Sequence, residues 1–361
     1  MRQNSLPPGN RVNVSLLERT LKPSNLTNSY KLYWFAAILD EIEDNNNEVS
    51  FRKLVDRMVS KCWYSILKFK LSLGHKDMLY KIVQYLTHEY DLSAESSENE
   101  ILSRLNDLND DYYDKELNML TRYVPYRFIS PFYSSKLIGL EDGKRNSIIE
   151  ILNKNDYNCI YIVNSKKSHI TLNYNWYNYI YNNLTIIKGW YKYNLIKYLQ
   201  RRNPNVPNII GKIEPPVSRD LVVANKFWRE VNKLVELKDI YTGRPIVESE
   251  MSIDHFIPWS FVLHDMFWNL CPVLKATNSQ KGDRLPDIEK HLEPFVNLHY
   301  TIIPHLGQVK NSNCFYEDYI TIGIDESSLM NLSKKQYKDM LSKKLLPLYQ
   351  LALNNGFDVW Q

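Results

Sequence analysis

Residues 240–287 read IYTGRPIVESEMSIDHFIPWSFVLHDMFWNLCPVLKATNSQKGDRLPD. Within them SIDHFIP, 252–258, has the β-branched and aromatic content of a buried strand closed by a proline, yet it sets an acid and an imidazole side by side at Asp254 and His255. FWNLCPV, 267–273, reads as a second strand, and YTGRPI, 241–246, as a turn-bearing strand end. Thr277, with Gln280 three residues later, has the form of a capping box opening a short helix. The predicted order is strand, loop, strand, helix. Successive strand residues point to opposite faces, so Asp254 and His255 can divide labour, one toward a metal and the other toward an attacking water. Asn278 and Lys281, three apart on the helix, share a face. An acid, an imidazole, an amide and an ammonium are thereby expected around one point.

An Asp-His pair alone is better explained by a histidine hydrogen-bonded to a neighbour. With DH at 254–255, Asn269 in WNL and NSQK at 278–281 followed by GDRLP, the segment resembles the HNH, or ββα-metal, nuclease superfamily over roughly residues 237–290. The resemblance implies that His255 is the general base that deprotonates water and that Asp254 and Asn278 ligate one divalent cation. It further implies that Asn269 braces the loop between strand and helix and that Lys281 contacts phosphate. Hard oxygen donors suit Mg²⁺ or Mn²⁺. Arg244 and Arg284 flank the motif as expected phosphate contacts. Many relatives carry CxxC pairs around a structural zinc; here the place of the first pair reads IYTGRP, so no structural zinc is expected and packing by Ile240, Tyr241 and Ile246 must replace it. Lys281 also stands where many relatives have a third histidine. His264 lies in the expected loop, and His75, His88, His169, His291, His299 and His305 are expected in surface or capping roles.

The rest of the chain is ordinary in composition. Of 361 residues, 44% are hydrophobic and 24% charged, and the formal charge of +4 is too slight to announce a nucleic-acid binder by itself. The four cysteines lie far apart, which argues against a disulfide framework or zinc knuckle. No run is apolar enough to span a bilayer, and the first residues lack the order of a signal peptide, so a cytoplasmic protein without membrane contact is expected. The 26 tyrosines make any aromatic cluster weak evidence by itself.

Helical periodicity runs through NSYKLYWFAAILDEI, with a stripe at Leu32, Phe35, Ile38, Leu39 and Ile42 and Asn or Ser as cap, then from Ser50 to Gly74, then KDMLYKIVQYL. Polar helices are expected over 92–122 and near 148, a small hairpin at NCIYIVN and HITLN around SKKS, and a further helix ending at Arg201 and Arg202. Its KGWYKYNLIKYLQRR stretch suits a core helix better than a stacking platform. Pro204, Pro207, Pro215 and Pro216 interrupt regular structure. The expected organisation is a helical N-terminal domain over 1–203 and, with helix resuming at Ser218, an HNH nuclease domain over 218–361 braced by C-terminal helices: mainly α with an embedded ββα-metal unit, α+β overall. The implied function is metal-dependent hydrolysis of DNA phosphodiesters giving 5′-phosphate ends, with RNA not distinguished, in the manner of a bacterial restriction or phage-defence component. The alternatives are an effector nuclease controlled by a partner ATPase or sensor docked on the N-terminal domain, or a catalytically idle nucleic-acid-binding subunit.

Overall fold

The computed structural model describes residues 5–215, 219, 221–310 and 312–361. The chain is mainly α with small sheets and divides into two compact units, one comprising the described residues of Met1–Pro204 and Lys212–Pro215, the other those of Asn205–Gly211 and Pro216–Gln361. Among the described residues no helix is long and apolar enough to cross a membrane.

The first unit is built around α2 (Tyr30–Glu43), following α1 (Val14–Thr20). The stripe expected on α2 is buried, and Tyr33, Trp34, Ala36 and Ala37 are as buried as Leu32, Phe35 and Ile38, so the helix is enclosed on all sides rather than along one face. Ser29 precedes it without a capping bond, because its hydroxyl is spent on Asp77 at 2.7 Å. Asp77 in turn caps α4 (Met78–Tyr90), which follows α3 (Phe51–Leu67). α3 ends well before Gly74, the expected stop. Around this core lie α5 (Glu98–Asn106), α6 (Asp111–Thr121), α7 (Val124–Ile129), α8 (Asp142–Asn153), α9 (Tyr174–Asn182) and α10 (Leu184–Arg202). Tyr191, Leu195, Tyr198 and Leu199 turn one face of α10 inward. A short β1 (Glu48–Ser50), unforeseen in the sequence, pairs with β3 (His169–Leu172), and β3 pairs with β2 (Tyr161–Asn164), all antiparallel. His169, expected at the surface, is nearly buried and meets Glu48 at 2.8 Å.

The second unit opens with α11 (Val222–Leu234); Ser218, where helix was expected to resume, lies outside the described residues. Then come β4 (Met251–His255), α12 (Trp259–Val262), β5 (Leu270–Leu274) and α13 (Lys275–Lys281), the strand, loop, strand, helix order read from the sequence. β4 and β5 are antiparallel, with Asp254 opposite Cys271 and His255 opposite Leu270. β6 (Leu285–Pro286), α14 (Ile288–Ile302), α15 (Asn313–Ile320), α16 (Glu326–Asn331), α17 (Lys334–Asn354) and β7 (Val359–Trp360) complete it. β7 runs parallel to β6, and the Tyr349 hydroxyl donates to the Pro286 carbonyl at 2.9 Å, so the C-terminal helix and tail clamp the loop leaving α13.

A histidine expected outside the core lies at the centre of this unit. His299 on α14 is fully buried; its Nε2 meets the Leu270 carbonyl at 2.9 Å and its Nδ1 the Tyr319 hydroxyl at 2.9 Å, with Tyr337 completing the chain at 2.6 Å. A carbonyl can only accept, so Nε2 carries the proton, Nδ1 accepts from Tyr319, and Tyr319 accepts from Tyr337. Three helices thereby fix the first residue of β5. The expectation failed because the ring's partners are distant in sequence.

Candidate active site

The floor of the site is β4, and what makes an acid and an imidazole tolerable there is a complete set of partners. Asp254 is 4% exposed. Its Oδ2 accepts from the Tyr241 hydroxyl at 2.7 Å, and both carboxylate oxygens lie 3.1 Å from Lys281 Nζ. Lys281 is equally buried and also donates to the His255 carbonyl at 2.9 Å. Burial beside Asp254 pushes the Tyr241 phenol well above its ordinary range, keeping it a donor. Tyr241 therefore does more than the apolar packing foreseen for it.

His255 is buried too, and its Nε2 lies 2.8 Å from Oδ1 of Asp265, a partly exposed residue in the loop after α12. Asp265 was missed in the sequence; its only local signal is an acid in the LHDMF stretch of a loop. A carboxylate at Nε2 favours the proton there and leaves Nδ1 with its lone pair, the form that accepts a proton. Leu263, just before this loop, has φ +52°, a left-handed conformation costly for a branched side chain. It turns the chain out of α12 toward Asp265. His264 packs its ring 5.1 Å from that of Trp268, and burial pushes it down to about 4, so it stays neutral.

Asn269 joins the loop to the strands as a bracing amide: it accepts from Ile257 N at 2.8 Å and donates to Ile257 O at 2.9 Å, while its own carbonyl accepts from Phe256 N at 2.8 Å. Asn278 and Lys281 share a face of α13, and both meet β4. Asn278 Nδ2 donates to Ser252 Oγ at 2.7 Å and to Ile253 O at 3.3 Å, and its Oδ1 accepts no hydrogen bond among the described residues. The expected capping box at Thr277 and Gln280 is absent. α13 begins at Lys275, Thr277 is buried inside it, and the amide of its N-cap residue, Leu274, is taken at 3.0 Å by the Asp239 carboxylate. Asp239, also missed in the sequence, is fully buried; its other oxygen accepts from Tyr241 N at 2.8 Å and Thr242 N at 3.2 Å. Gly243 closes that turn at φ +70°, its N–H bonded to the Asp239 carbonyl at 2.8 Å. The turn expected to rest on apolar packing is thus tied to β5 by a carboxylate, with Ile240 and Ile246 buried beside it.

Asp254, His255 and Lys281 meet directly, Asn278 joins them through β4, and Asn269 fixes the loop end. The expected phosphate contacts are placed differently. Lys281 is turned inward onto Asp254, and Arg284 closes the end of α13 on the carbonyls of Lys281, at 3.1 Å, and Gln280. Arg244 is exposed at the tip of the Asp239 turn.

For a hard divalent cation the donors are oxygens on two elements: Asn278 Oδ1 on α13 is unengaged among the described residues, whereas both oxygens of Asp254 on β4 are taken by Lys281 and Tyr241, which a cation would have to displace in part. Asp254 and Asn278 are the residues that would hold it. Among the described residues no group of three or more His, Cys, Asp and Glu side chains is placed to hold a metal ion.

No curated protein and no solved structure matches the chain. Residues 239–287, from the Asp239 turn through β4, β5 and α13 to the residue after β6, match the family model described as HNH endonuclease, so this segment of the chain is similar to an HNH module.

Proposed function

We propose that this protein is a metal-dependent HNH endonuclease that hydrolyses DNA phosphodiesters. The observation that carries the reading is the His255–Asp265 pair, a buried imidazole whose one nitrogen is fixed by a carboxylate within the matched segment. Asp265 holds the Nε2 proton and the ring orientation; His255 Nδ1 takes the proton of the attacking water as its oxygen bonds to phosphorus and the bond to the leaving sugar oxygen breaks. Base catalysis of this kind supplies about 10² to 10⁴-fold. Asn269 keeps the loop after β4 in place through Ile257. Mg²⁺ or Mn²⁺, when bound by Asp254 and Asn278, supplies charge stabilisation to the phosphoryl oxygens and leaving group. Arg244, exposed beside the site, is the phosphate contact favoured by its position; Arg284 has its guanidinium on carbonyls, and Lys281 serves Asp254 instead. Target choice belongs to the helical domain over 1–203, as a nucleic-acid surface or partner dock, in a cytoplasmic restriction or phage-defence setting.

A second reading is favoured by one observation: Lys281 and Tyr241 already engage both oxygens of Asp254, as in a subunit that keeps the fold and binds nucleic acid without cutting it. Supercoiled plasmid with Mg²⁺ or Mn²⁺ separates the two. The wild type is expected to nick it and His255→Ala to lose about 10²-fold or more while remaining folded by circular dichroism; equal behaviour of the two proteins selects the idle subunit. Asn278→Ala is expected to raise the Mn²⁺ concentration needed for half-maximal cleavage about 10-fold, and an unchanged titration removes Asn278 from the ligand set.

A further inference from the structure

Away from the HNH module, the helical unit contains a cleft of about 750 Å³, within the size range of small-molecule sites. Four cations line it, Arg19, Lys31, Arg127 and Arg145, against a single acid, Asp142. That acid is already used: Arg127 grips it in bidentate fashion at 2.7 and 2.9 Å, and Arg145 stands 3.9 Å from the same carboxylate. Among the described residues the Arg19 guanidinium reaches only the Ser134 hydroxyl, at 3.5 Å. Lys31, rooted in the central helix α2, donates to the Asn25 carbonyl at 3.0 Å and has no carboxylate within ion-pair distance among the described residues. Burial, and then the neighbouring Arg127 charge, push its ammonium down to about 8. A cation withdrawn from water beside a like charge is unfavourable until an anion joins it.

The cleft also has a flat apolar wall. Tyr123 and Met119 line it while remaining 45% and 48% exposed, so both side chains are accessible from the cleft. The Arg122 guanidinium lies over the Tyr123 ring at 5.5 Å, which leaves the ring's other face and the thioether beside positive charge that lacks a carboxylate, a combination that takes a phosphate at one end and a planar base at the other. We propose that this cleft binds a nucleoside 5′-phosphate, free or at the end of a strand, with Lys31 and Arg145 on the phosphate and Tyr123 and Met119 against the base.

The test is calorimetric titration of the full chain in EDTA, so that nothing depends on cleavage. The probes are AMP, adenosine, and a short oligothymidylate with a 5′-phosphate or a 5′-hydroxyl. At least one phosphorylated probe is expected to bind about 10-fold or more tightly than its unphosphorylated counterpart. Preference for AMP identifies the free nucleotide, preference for the phosphorylated strand identifies the strand end, and either supports the site. Lys31→Met is expected to weaken that binding about 10-fold while the unliganded melting temperature stays level or rises, since an uncompensated charge is removed. Arg145→Gln, at a half-exposed position, is expected to weaken it several-fold and provides the same test should Lys31→Met fold poorly. Equal binding with and without phosphate, absence of binding by both phosphorylated probes at millimolar concentration, or wild-type affinity in the variants would overturn the proposal.

Discussion

His255 and His299 are both buried in the second unit and hold both ends of the β4–β5 register pair, His255 by belonging to β4 and His299 by its bond to Leu270. Their surroundings differ in kind. His299 has each nitrogen met by a neutral group, a carbonyl and a phenol, and burial pushes it down to about 3, so it is a fixed neutral strut. His255 has one nitrogen on a partly exposed carboxylate and no hydrogen-bond partner on the other among the described residues. Burial therefore does not distinguish the histidine proposed as the base from a structural one. What does is an asymmetric set of partners that fixes one nitrogen and leaves the other to chemistry.

The sharpest way to break this contrast is to change Asp265. Asp265→Asn can offer Nε2 a donor instead of an acceptor and so move the ring proton to Nδ1; cleavage is expected to fall about 10³-fold with little change in melting temperature. Asp265→Glu should recover part of the rate, and a loss of folding stability in place of a loss of rate would reduce Asp265 to a structural residue. The reciprocal change, His299→Ala, is expected to lower stability by about 3 kcal/mol in urea unfolding, since it opens a cavity and strands the Leu270 carbonyl and the Tyr319 hydroxyl. A stable His299→Ala protein with reduced cleavage would invert the assignment of the two rings.

Acid provides a smaller effect of the same origin. His299 has its folded value at about 3 against an ordinary 6.5, so the unfolded chain binds the extra proton first; its stabilisation is intact above about 6.5 and is lost as pH falls toward 3. His264, held down to about 4, adds in the same direction. Between pH 7.5 and pH 5 the His299 share amounts to about 2 kcal/mol of unfolding free energy, and His299→Phe should flatten that slope. An unchanged pH slope in the variant would mean that the native ring takes up its proton as readily as the unfolded one.

Legibility in the sequence followed the range of the interaction. The ββα order, the α13 face carrying Asn278 and Lys281, and the hairpin of β2 and β3 all rest on local spacing; the bounds were less exact, since Phe267–Asn269, read as strand, form a 3₁₀ turn ahead of β5, and α13 starts at Lys275 rather than Thr277. The helix caps were less legible, because a polar side chain near a helix start has other uses: Ser29 serves Asp77, Thr277 lies inside its helix, and a capping box appears instead at Ser333 and Gln336. Asp239, Asp265 and the strand β1 escaped because each is defined by a partner far along the chain, Leu274, His255 and β3 respectively. Periodicity also underestimated α2, whose second face is covered by aromatic neighbours such as Phe128 and Tyr191 that only the fold brings near.

The parallel pairing of Leu285 and Pro286 with Val359 and Trp360 has a consequence for biogenesis. Those partners are separated by four helices, so on a ribosome the segment 239–287 emerges long before its last strand neighbour exists. During that interval the edge at β6 is unpaired, and Tyr241, whose ring later meets Trp360 at 5.2 Å, lacks its cover. The module that carries His255 is therefore among the last parts of this chain to be sealed during synthesis, whichever part forms first.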